Sequence, residues 1–462
     1  MKQIYIEKDN SSDEFLYEQL YNNLKDQIIA GDIRKGEKCP SIRNMASMLD
    51  VSVTTVMQAY NQLLAEGYIK NKPGSGYYVE NIITGTELER NDIEKLEPDS
   101  DEFSATDSDY MYDTESFDFV RWKKCASKVY TEYAESLFYG SDIKGEYALR
   151  KEISKYLFKS RGVSTDAENI IIAAGTQQTV FHLGRILKKT GITLLAVEKP
   201  GYSPVKSMFI DAGFATADIP VTDMGINIEN LPVNITSVAY VNPSNQFPTG
   251  VVMPIGKRYE ILKWADENDS YIIEDDYNSE LRYFGKPLPT IKSLDNSDRV
   301  IYLGSFSSTL FPAIKISYMV LPKRLTEIFN DTKKNYSQTC SKAEQLTLAY
   351  YMSQGYYYTS IRKKRALYTK KLKIVIDAFE KYGQEEIKLS NANSGLFVTI
   401  KIDSKGDARD FIEAANKLKV FTSYIEEIST EKEKWLSLYY SYIPLESIDL
   451  VLNILINRWR TI

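Results

Sequence analysis

Histidine is nearly absent from this chain. His182 stands alone among 462 residues, so a His-rich zinc site or a Ser-His-Asp triad has little to be built from. It lies in the apolar helical stretch TVFHLGRIL and reads as a packing residue. Cysteine is almost as scarce. Cys39, Cys125 and Cys340 lie far apart, form neither a metal-type pair nor a disulfide framework, and read as buried free thiols. Long apolar runs are missing too. None approaches the ~20 residues that cross a bilayer, and the opening MKQIYIEKDN lacks the apolar stretch of a secretory signal. The expectation is a cytoplasmic protein with no membrane attachment. Nor is there an excess of positive charge. A net charge of −6 and a pI near 5.3 argue against indiscriminate coating of nucleic acid. They leave room for a small DNA-reading module on a large acidic body.

What is present is ordinary globular material, 43% hydrophobic and 26% charged. At ~150 residues per domain the length suggests about three domains, or two if one is a large α/β unit.

Residues 13–80 read as a compact unit. LYEQLYNNLKDQIIAG carries apolar residues at helical spacing and ends in Gly31, a helix stop. In CPSIRNMASMLD, Ser41 is placed as an N-cap with Met45, Met48 and Leu49 on one face. A tight turn leads to VSVTTVMQAYNQLLAEGYI, with Ser52 as N-cap and Val56, Tyr60, Leu63 and Leu64 as the buried stripe. Two short helices so joined form a helix-turn-helix. YIKNKPGSGYYV then reads as a hairpin, which makes the unit a winged helix. Ser52, Thr54 and Thr55 would present short donors from the first turn of the second of these helices, suited to phosphate and base edges. Arg43 is a candidate phosphate or guanine contact, and Lys70 and Lys72 would sit on the wing. Residues 81–118 are rich in acid, Ser and Thr and read as a mobile, charge-extended linker, parts of which could instead pack as a surface arm.

Residues 119–462 alternate apolar strands with helical stretches, the α/β pattern. Five strands in order end in polar clusters: IIIAAGTQQ, TLLAVEKPGY, SVAYVNPSNQFPTG, SYIIEDDYNSE and RVIYLGSFSST. Ligand groups in open α/β sheets lie in that position. A smaller α+β subdomain is expected from roughly residue 335 to 462.

PSIRNMA, VSVTTVMQAYNQLLAEG and GSGYYV resemble the GntR family of bacterial regulators. The family often carries Arg at position 53, where this chain has Val53. The ordered strand-end clusters, with YGSDIKGEYALRKEISKYLFKSRGV, SQTCSKAEQLTLAYY and NANSGLFV, resemble the fold type I aminotransferase domain. Together they look like a MocR/GabR-type transcription regulator. The resemblance implies a pyridoxal phosphate pocket. Asp275 would pair with the pyridinium nitrogen, and Tyr277 and Asn245 would contact the ring hydroxyl. Tyr202 would stack on the ring, while Thr176, Gln177, Ser305 and Ser307 would hold the phosphate.

One loop departs from the family. In GSFSSTLFPAIKISY, Ser308 stands at the position of the Schiff-base lysine and Lys315 at that of the phosphate-clamping arginine. Near the C-terminus, Tyr442 is aligned with a family arginine that binds amino-acid carboxylates, and Ser203-Pro204-Val205 replaces another arginine segment. Three explanations stay open: an engineered lysine replacement, a stand-in lysine such as Lys315, or lost covalent chemistry. In the last case no side chain is catalytic. The pocket would hold pyridoxal phosphate non-covalently at best, or another anionic aromatic molecule, or nothing. The resulting expectation is a DNA-binding regulator, a head-to-tail homodimer on double-stranded operator DNA with a small-molecule effector. The alternatives are an aminotransferase or cofactor-responsive regulator using another lysine, and a protein-binding scaffold.

Overall fold

A computed structural model describes residues 15–80, 113, 116–283, 287–332, 336–392 and 394–462. The chain divides into two units, Met1–Ser104 and Ala105–Ile462.

In the first unit, helices α1 (Leu16–Ile29), α2 (Ile42–Leu49) and α3 (Val53–Ala65) precede a hairpin of β1 (Ile69–Lys72) and β2 (Gly76–Val79). The capping serines act as expected. Ser41 Oγ accepts from Asn44 N at 3.2 Å, and Ser52 Oγ accepts from Thr55 N at 3.0 Å. Gly31 takes a positive φ of 78° just after α1. Gly74 and Gly76, at φ 75° and 107°, turn the wing. The core is Leu20, Leu24, Met45, Val56, Ala59, Tyr60, Leu63, Ile69 and Val79. Two expected core positions differ. Met48 is exposed and Ala46 takes its place inside, because a helix of only eight residues can bury a narrow stripe. Leu64 is only partly buried, and Ala59 completes the stripe with Val56, Tyr60 and Leu63.

The second unit is built on an eight-stranded sheet. Its strands are β3 (Ile170–Ala173), β4 (Leu194–Lys199), β5 (Ala215–Thr222), β6 (Gly225–Ile226), β7 (Val238–Val241), β8 (Tyr271–Asp275), β9 (Val300–Ser305) and β10 (Ser317–Val320). Their order is β3-β10-β9-β8-β7-β4-β5-β6. Strands β5, β4, β7, β8 and β9 run parallel, and β10 runs antiparallel between β9 and β3. β3 therefore points the same way as β9. After β4 the chain moves outward to β5 and β6, then returns to β7 on the other side of β4. This is a switch in strand order, where open α/β sheets place ligands.

The strands β3, β7 and β10 are buried along their whole length, as expected where helices cover both faces. The helices are α4 (Phe119–Glu132), α5 (Tyr147–Arg161), α6 (Gly175–Lys189), α7 (Ser203–Asp211), α8 (Ile255–Glu267), α9 (Ile291–Leu294), α10 (Lys323–Thr332), α11 (Lys342–Ser353) and α12 (Tyr356–Tyr382). A second sheet, β11 (Ile387–Asn391), β12 (Phe397–Asp403), β14 (Glu433–Tyr439) and β13 (Thr422–Tyr424) in that spatial order, packs with α12, α13 (Ala408–Asn416) and α14 (Ile448–Trp459) around its own core.

Most of the segment read as a linker, residues 81–112, 114 and 115, lies outside the described residues. Its last part packs with the body. Asp113 accepts a hydrogen bond from the Tyr368 hydroxyl, and Phe117 is buried against Trp122 and Phe311. His182 is a packing residue: it is buried, meets the rings of Phe329 and Tyr336, and burial lowers its pKa. Cys125 and Cys340 are buried, whereas Cys39 is only partly so. Burial pushes the Cys39 thiol up to about 11 and that of Cys340 up to about 12, which leaves both unreactive near neutrality. Among the described residues no helix is long and apolar enough to cross a membrane, and no cluster of His, Cys, Asp and Glu could hold a metal ion.

Candidate functional site

The sheet gathers the expected residues along one edge. Strand register sets Asp275 beside Leu303, Val241 beside Glu274 and Tyr240 beside Val197. Ser317 pairs with both Ser305 and Ala173. The carboxyl ends of β3, β4, β7, β8 and β9 thus open on a common rim.

The run Glu274-Asp275-Asp276 divides its three carboxylates among different tasks. Glu274 is buried and accepts from Ile291 N and Lys292 N, both at 2.8 Å, capping α9 from below. Asp276 is buried and receives five hydrogen bonds. Arg161 donates through Nε at 2.7 Å and Nη2 at 2.9 Å. Ser244, Ser279 and Tyr302 hydroxyls donate at 2.6, 2.8 and 2.6 Å. Burial alone would raise the Asp276 pKa, but the Arg161 charge and these donors outweigh it and hold the carboxyl below its ordinary value.

Asp275 is different. It is partly open to the rim, and burial, opposed by a hydrogen bond donated by Tyr240 Oη, pushes its carboxyl up to about 6. Asn242 Nδ2 donates to the Asp275 backbone carbonyl at 3.1 Å. Glu198, at the end of β4, accepts from Asn242 N and Gln246 Nε2, each at 3.2 Å, while burial raises it to about 8. Tyr202 stands edge-on to Phe247 at 6.0 Å and is close enough for the Asp275 charge to raise its phenol, after burial. Tyr277 is partly exposed and near enough to Tyr439 to influence its phenol.

Asn245 is buried. Its Oδ1 accepts from Ser394 Oγ at 3.1 Å, while its Nδ2 has no partner. Asn242, also buried, has an unpartnered Oδ1. Buried polar atoms are seldom left so without a ligand or water to meet them. Gly395 is required here: a Cβ at that position would come within 2.6 Å of Asn245 Nδ2. The loop after β7 is stapled by buried Arg258, which donates to the carbonyls of Met253, Pro289 and Pro243 at 3.0, 2.7 and 2.8 Å.

At the other end of the rim, α6 begins at Gly175 with no side-chain cap, so its first N–H groups, at Thr176 and Gln177, lack that partner. A Cβ on Gly175 would lie 4.0 Å from Lys315 Cδ, so the Lys315 side chain passes beside this turn. Ser305 Oγ accepts from Ser317 Oγ at 3.0 Å and from Ser307 N at 3.3 Å. Positive N–H dipoles, an ammonium and hydroxyls form a set of donors suited to a phosphate. Together with a carboxylate for a pyridinium nitrogen, an aromatic face and two orphaned amide atoms, the residues present fit pyridoxal phosphate.

Ser308 is 4% exposed and lies in a well-held turn. Leu310 N donates to Phe306 O at 2.9 Å, and Thr309 Oγ1 meets Tyr357 Oη at 3.0 Å. Lys364, on α12 and 2% exposed, donates Nζ to the carbonyls of Ser308 at 3.3 Å and Leu310 at 3.2 Å. Burial brings its pKa down to about 8. Tyr442 lies beyond the end of β14, and its hydroxyl donates to Lys419 O and accepts from Phe421 N at 2.7 Å. The β14 residue turned toward the site's loop is Ser437, whose Oγ donates to Pro248 O at 3.3 Å. Sequence reasoning thus missed Tyr240, Asn242, Glu198, Ser437, Lys364 and the Asp276–Arg161 pair.

In the head, Arg43, Thr54 and Lys72 are exposed. Ser41 and Ser52 are exposed as well, with their oxygens engaged in capping, and Ser52 Oγ also meets Thr55 Oγ1 at 2.7 Å. Val53 is 51% exposed at the first position of α3. Lys70 is paired with Glu80, and Lys72 Nζ lies 4.6 Å from the Tyr78 ring centre.

Comparison with known proteins agrees with both units. Residues 16–79 match the bacterial regulatory proteins of the gntR family, and residues 106–444 match aminotransferase class I and II. The chain is 37% identical to the HTH-type transcriptional regulator YdeL of Bacillus subtilis, over 87% of each chain. It is 30% identical to the probable rhizopine catabolism regulatory protein MocR of Rhizobium meliloti, over 84% of this chain and 82% of the other. The HTH-type pyridoxine biosynthesis transcriptional regulator PdxR of Corynebacterium glutamicum is 28% identical over 84% of each. Among solved structures, a kynurenine aminotransferase of Pyrococcus horikoshii matches with a TM-score of 0.66 and 26% identity, covering 76% of this chain and 89% of that one. The chain belongs to the MocR-like HTH-type transcriptional regulators, which join a GntR winged helix to a fold type I aminotransferase body.

Proposed function

We propose that the head binds double-stranded operator DNA and that the body holds a phosphate-bearing pyridine without a covalent bond, as the effector that modulates DNA binding. The observation that carries this reading is the contrast within one rim. The carboxylate, aromatic and phosphate-type groups lie along it, while Ser308, which the resemblance aligns with the imine-forming lysine, is buried. When bound, pyridoxal phosphate supplies a ring that withdraws electrons from its 4′ substituent. Asp275 holds a proton on the ring nitrogen. Tyr202 covers a ring face. Tyr277, Asn242 and Asn245 meet the ring hydroxyl, and Thr176, Gln177, Ser305, Ser307 and Lys315 hold the phosphate. Serine forms no imine, and Lys315 runs beside Gly175 on the phosphate side, so transamination is not expected.

Two relatives support the ligand class. PdxR is named for pyridoxine biosynthesis, and the kynurenine aminotransferase structure is a complex with PMP. In the head, Arg43 and Lys72 meet phosphates, the first turn of α3 with Ser52, Thr54 and Thr55 enters the major groove, and the exposed Val53 suits a thymine methyl. We place the protein in the cytoplasm as a head-to-tail homodimer. Equilibrium dialysis with pyridoxal phosphate, together with retardation of its own promoter DNA at low salt, tests the reading. Reversible binding that alters retardation is the expected outcome. No binding by wild type, or transamination of any amino acid in a broad panel, would overturn it.

A further inference from the structure

The residues on the rim divide by which part of a ligand they can address. Asp275 reaches a ring nitrogen, Tyr202 a ring face, and the Gly175 turn with Ser305 and Lys315 a phosphate. Among these groups the one amine is Lys315, which lies beside the Gly175 turn. In an imine-forming site the aldehyde is selected because a lysine amine condenses with it. Here that position carries the Ser308 hydroxyl. Among the described residues, Lys364 and Lys315 both meet this loop, and neither replaces it. Lys364 Nζ is buried on the carbonyls of Ser308 and Leu310, with α12 behind it. Lys315 runs beside Gly175.

The turn itself is not slack. The Leu310–Phe306 backbone bond, the Thr309–Tyr357 contact and the Lys364 bonds hold it from three directions.

We infer that the site does not discriminate at the ligand's 4′ carbon, and that it takes 4′-amine forms of the phosphorylated pyridine, including those substituted on the amine, as readily as the 4′-aldehyde. This rests on the ligand reading above and sharpens it. The effector class becomes amines of the pyridoxamine 5′-phosphate type, which imine-forming sites cannot hold covalently.

The test uses the full-length protein and three probes: pyridoxal 5′-phosphate, pyridoxamine 5′-phosphate and inorganic phosphate. Binding is measured by calorimetry, followed by borohydride treatment and peptide mapping. The expected result is aldehyde and amine affinities within about threefold of each other, both above inorganic phosphate, with no single mapped lysine adduct. An aldehyde preference of about tenfold or more without an adduct would overturn the inference and leave the ligand reading standing, whereas a stoichiometric adduct at one lysine would overturn both. Failure of both pyridines to exceed inorganic phosphate would overturn the ligand reading itself, and this inference with it. Ser308→Lys supplies the second arm. Its new amine should condense with the aldehyde, losing one water, and shift preference toward the aldehyde by about tenfold or more with a reducible adduct at position 308. A folded variant with unchanged preference and no adduct would show that position 308 does not face the 4′ carbon, and would sink the inference.

Discussion

The head and the body arrange their functional polar groups in opposite ways. In the head, Arg43, Thr54 and Lys72 stand in solvent, and the serines beside them bond within their own helices. In the body, Asp275 is set among buried groups, and Asp276 behind it takes five hydrogen bonds. A surface that meets a long polyanion gains from exposed cations that release counterions. A site for one small ligand gains from charges fixed before it arrives. The first surface should tolerate substitution with little loss of stability, and the buried groups that support the second should not.

The sharpest break of that comparison is within the body, at two adjacent residues. Asp276→Asn removes the charge facing the buried guanidinium of Arg161 and should cost about 3–5 kcal/mol in urea unfolding. Asp275→Asn should cost no stability. The pH dependences differ in sign as well. The Asp276 carboxyl titrates below its unfolded value in the fold, so its stabilisation is complete above about pH 4 and is lost as pH falls through the folded value. Asp275 titrates at about 6 in the fold, above its unfolded value. Its contribution favours folding below about pH 4 and is lost as pH rises toward 6. Equal unfolding midpoints for the two variants at neutral pH would erase the distinction between a structural and a functional carboxylate.

Next in size is ligand binding. Asp275→Asn, stable as it should be, loses the charge that keeps a pyridinium protonated, and its affinity for pyridoxamine 5′-phosphate should fall by about tenfold or more. In the wild type the same affinity should weaken as pH drops below about 6, where Asp275 takes up a proton. Affinity unchanged in the variant would remove Asp275 from the site.

How far the sequence could carry this reading depended on distance along the chain. The caps at Ser41 and Ser52 reach only three residues, to Asn44 and Thr55, and were legible at once. So were the strand-end clusters, because each strand and its loop are contiguous. Tyr240 and Glu198 were not. They join Asp275 only because β7 lies beside β8 and β4 beside β7, and strand order is not written locally. The trio of carboxylates held a usable signal, since alternation along β8 sends neighbours in different directions. The position facing the site on β14 depended on register: Ser437 faces the loop, and Tyr442 lies past the strand. Lys364 was hidden differently. It sits in a run of cations, Arg362-Lys363-Lys364-Arg365, that reads as a solvated helix face, and only packing against the Ser308 turn buries it.

On the head the expected effects are smaller and appear in binding. Arg43→Ala should weaken operator binding and lower the salt slope by about one, while unfolding shifts by no more than about 0.5 kcal/mol. An unchanged slope would rule out Arg43 as a phosphate contact.

The smallest effect on operator binding is at Ser52, where the comparison can be sharpened because two roles meet in one hydroxyl. Its oxygen accepts from Thr55 N at 3.0 Å, and the same atom meets Thr55 Oγ1 at 2.7 Å. Loss of the cap in Ser52→Ala should destabilise the head by about 1 kcal/mol. Ser52→Asp keeps an acceptor for Thr55 N and should recover most of that stability, yet it sets a carboxylate where DNA phosphates would approach. If the hydroxyl serves DNA, the aspartate variant will be the more stable of the two and the weaker binder. Should stability and operator affinity instead rise and fall together across both substitutions, Ser52 acts on DNA only by holding α3 in shape. Direct contact with DNA would then fall to Arg43, Val53, Thr54 and the wing.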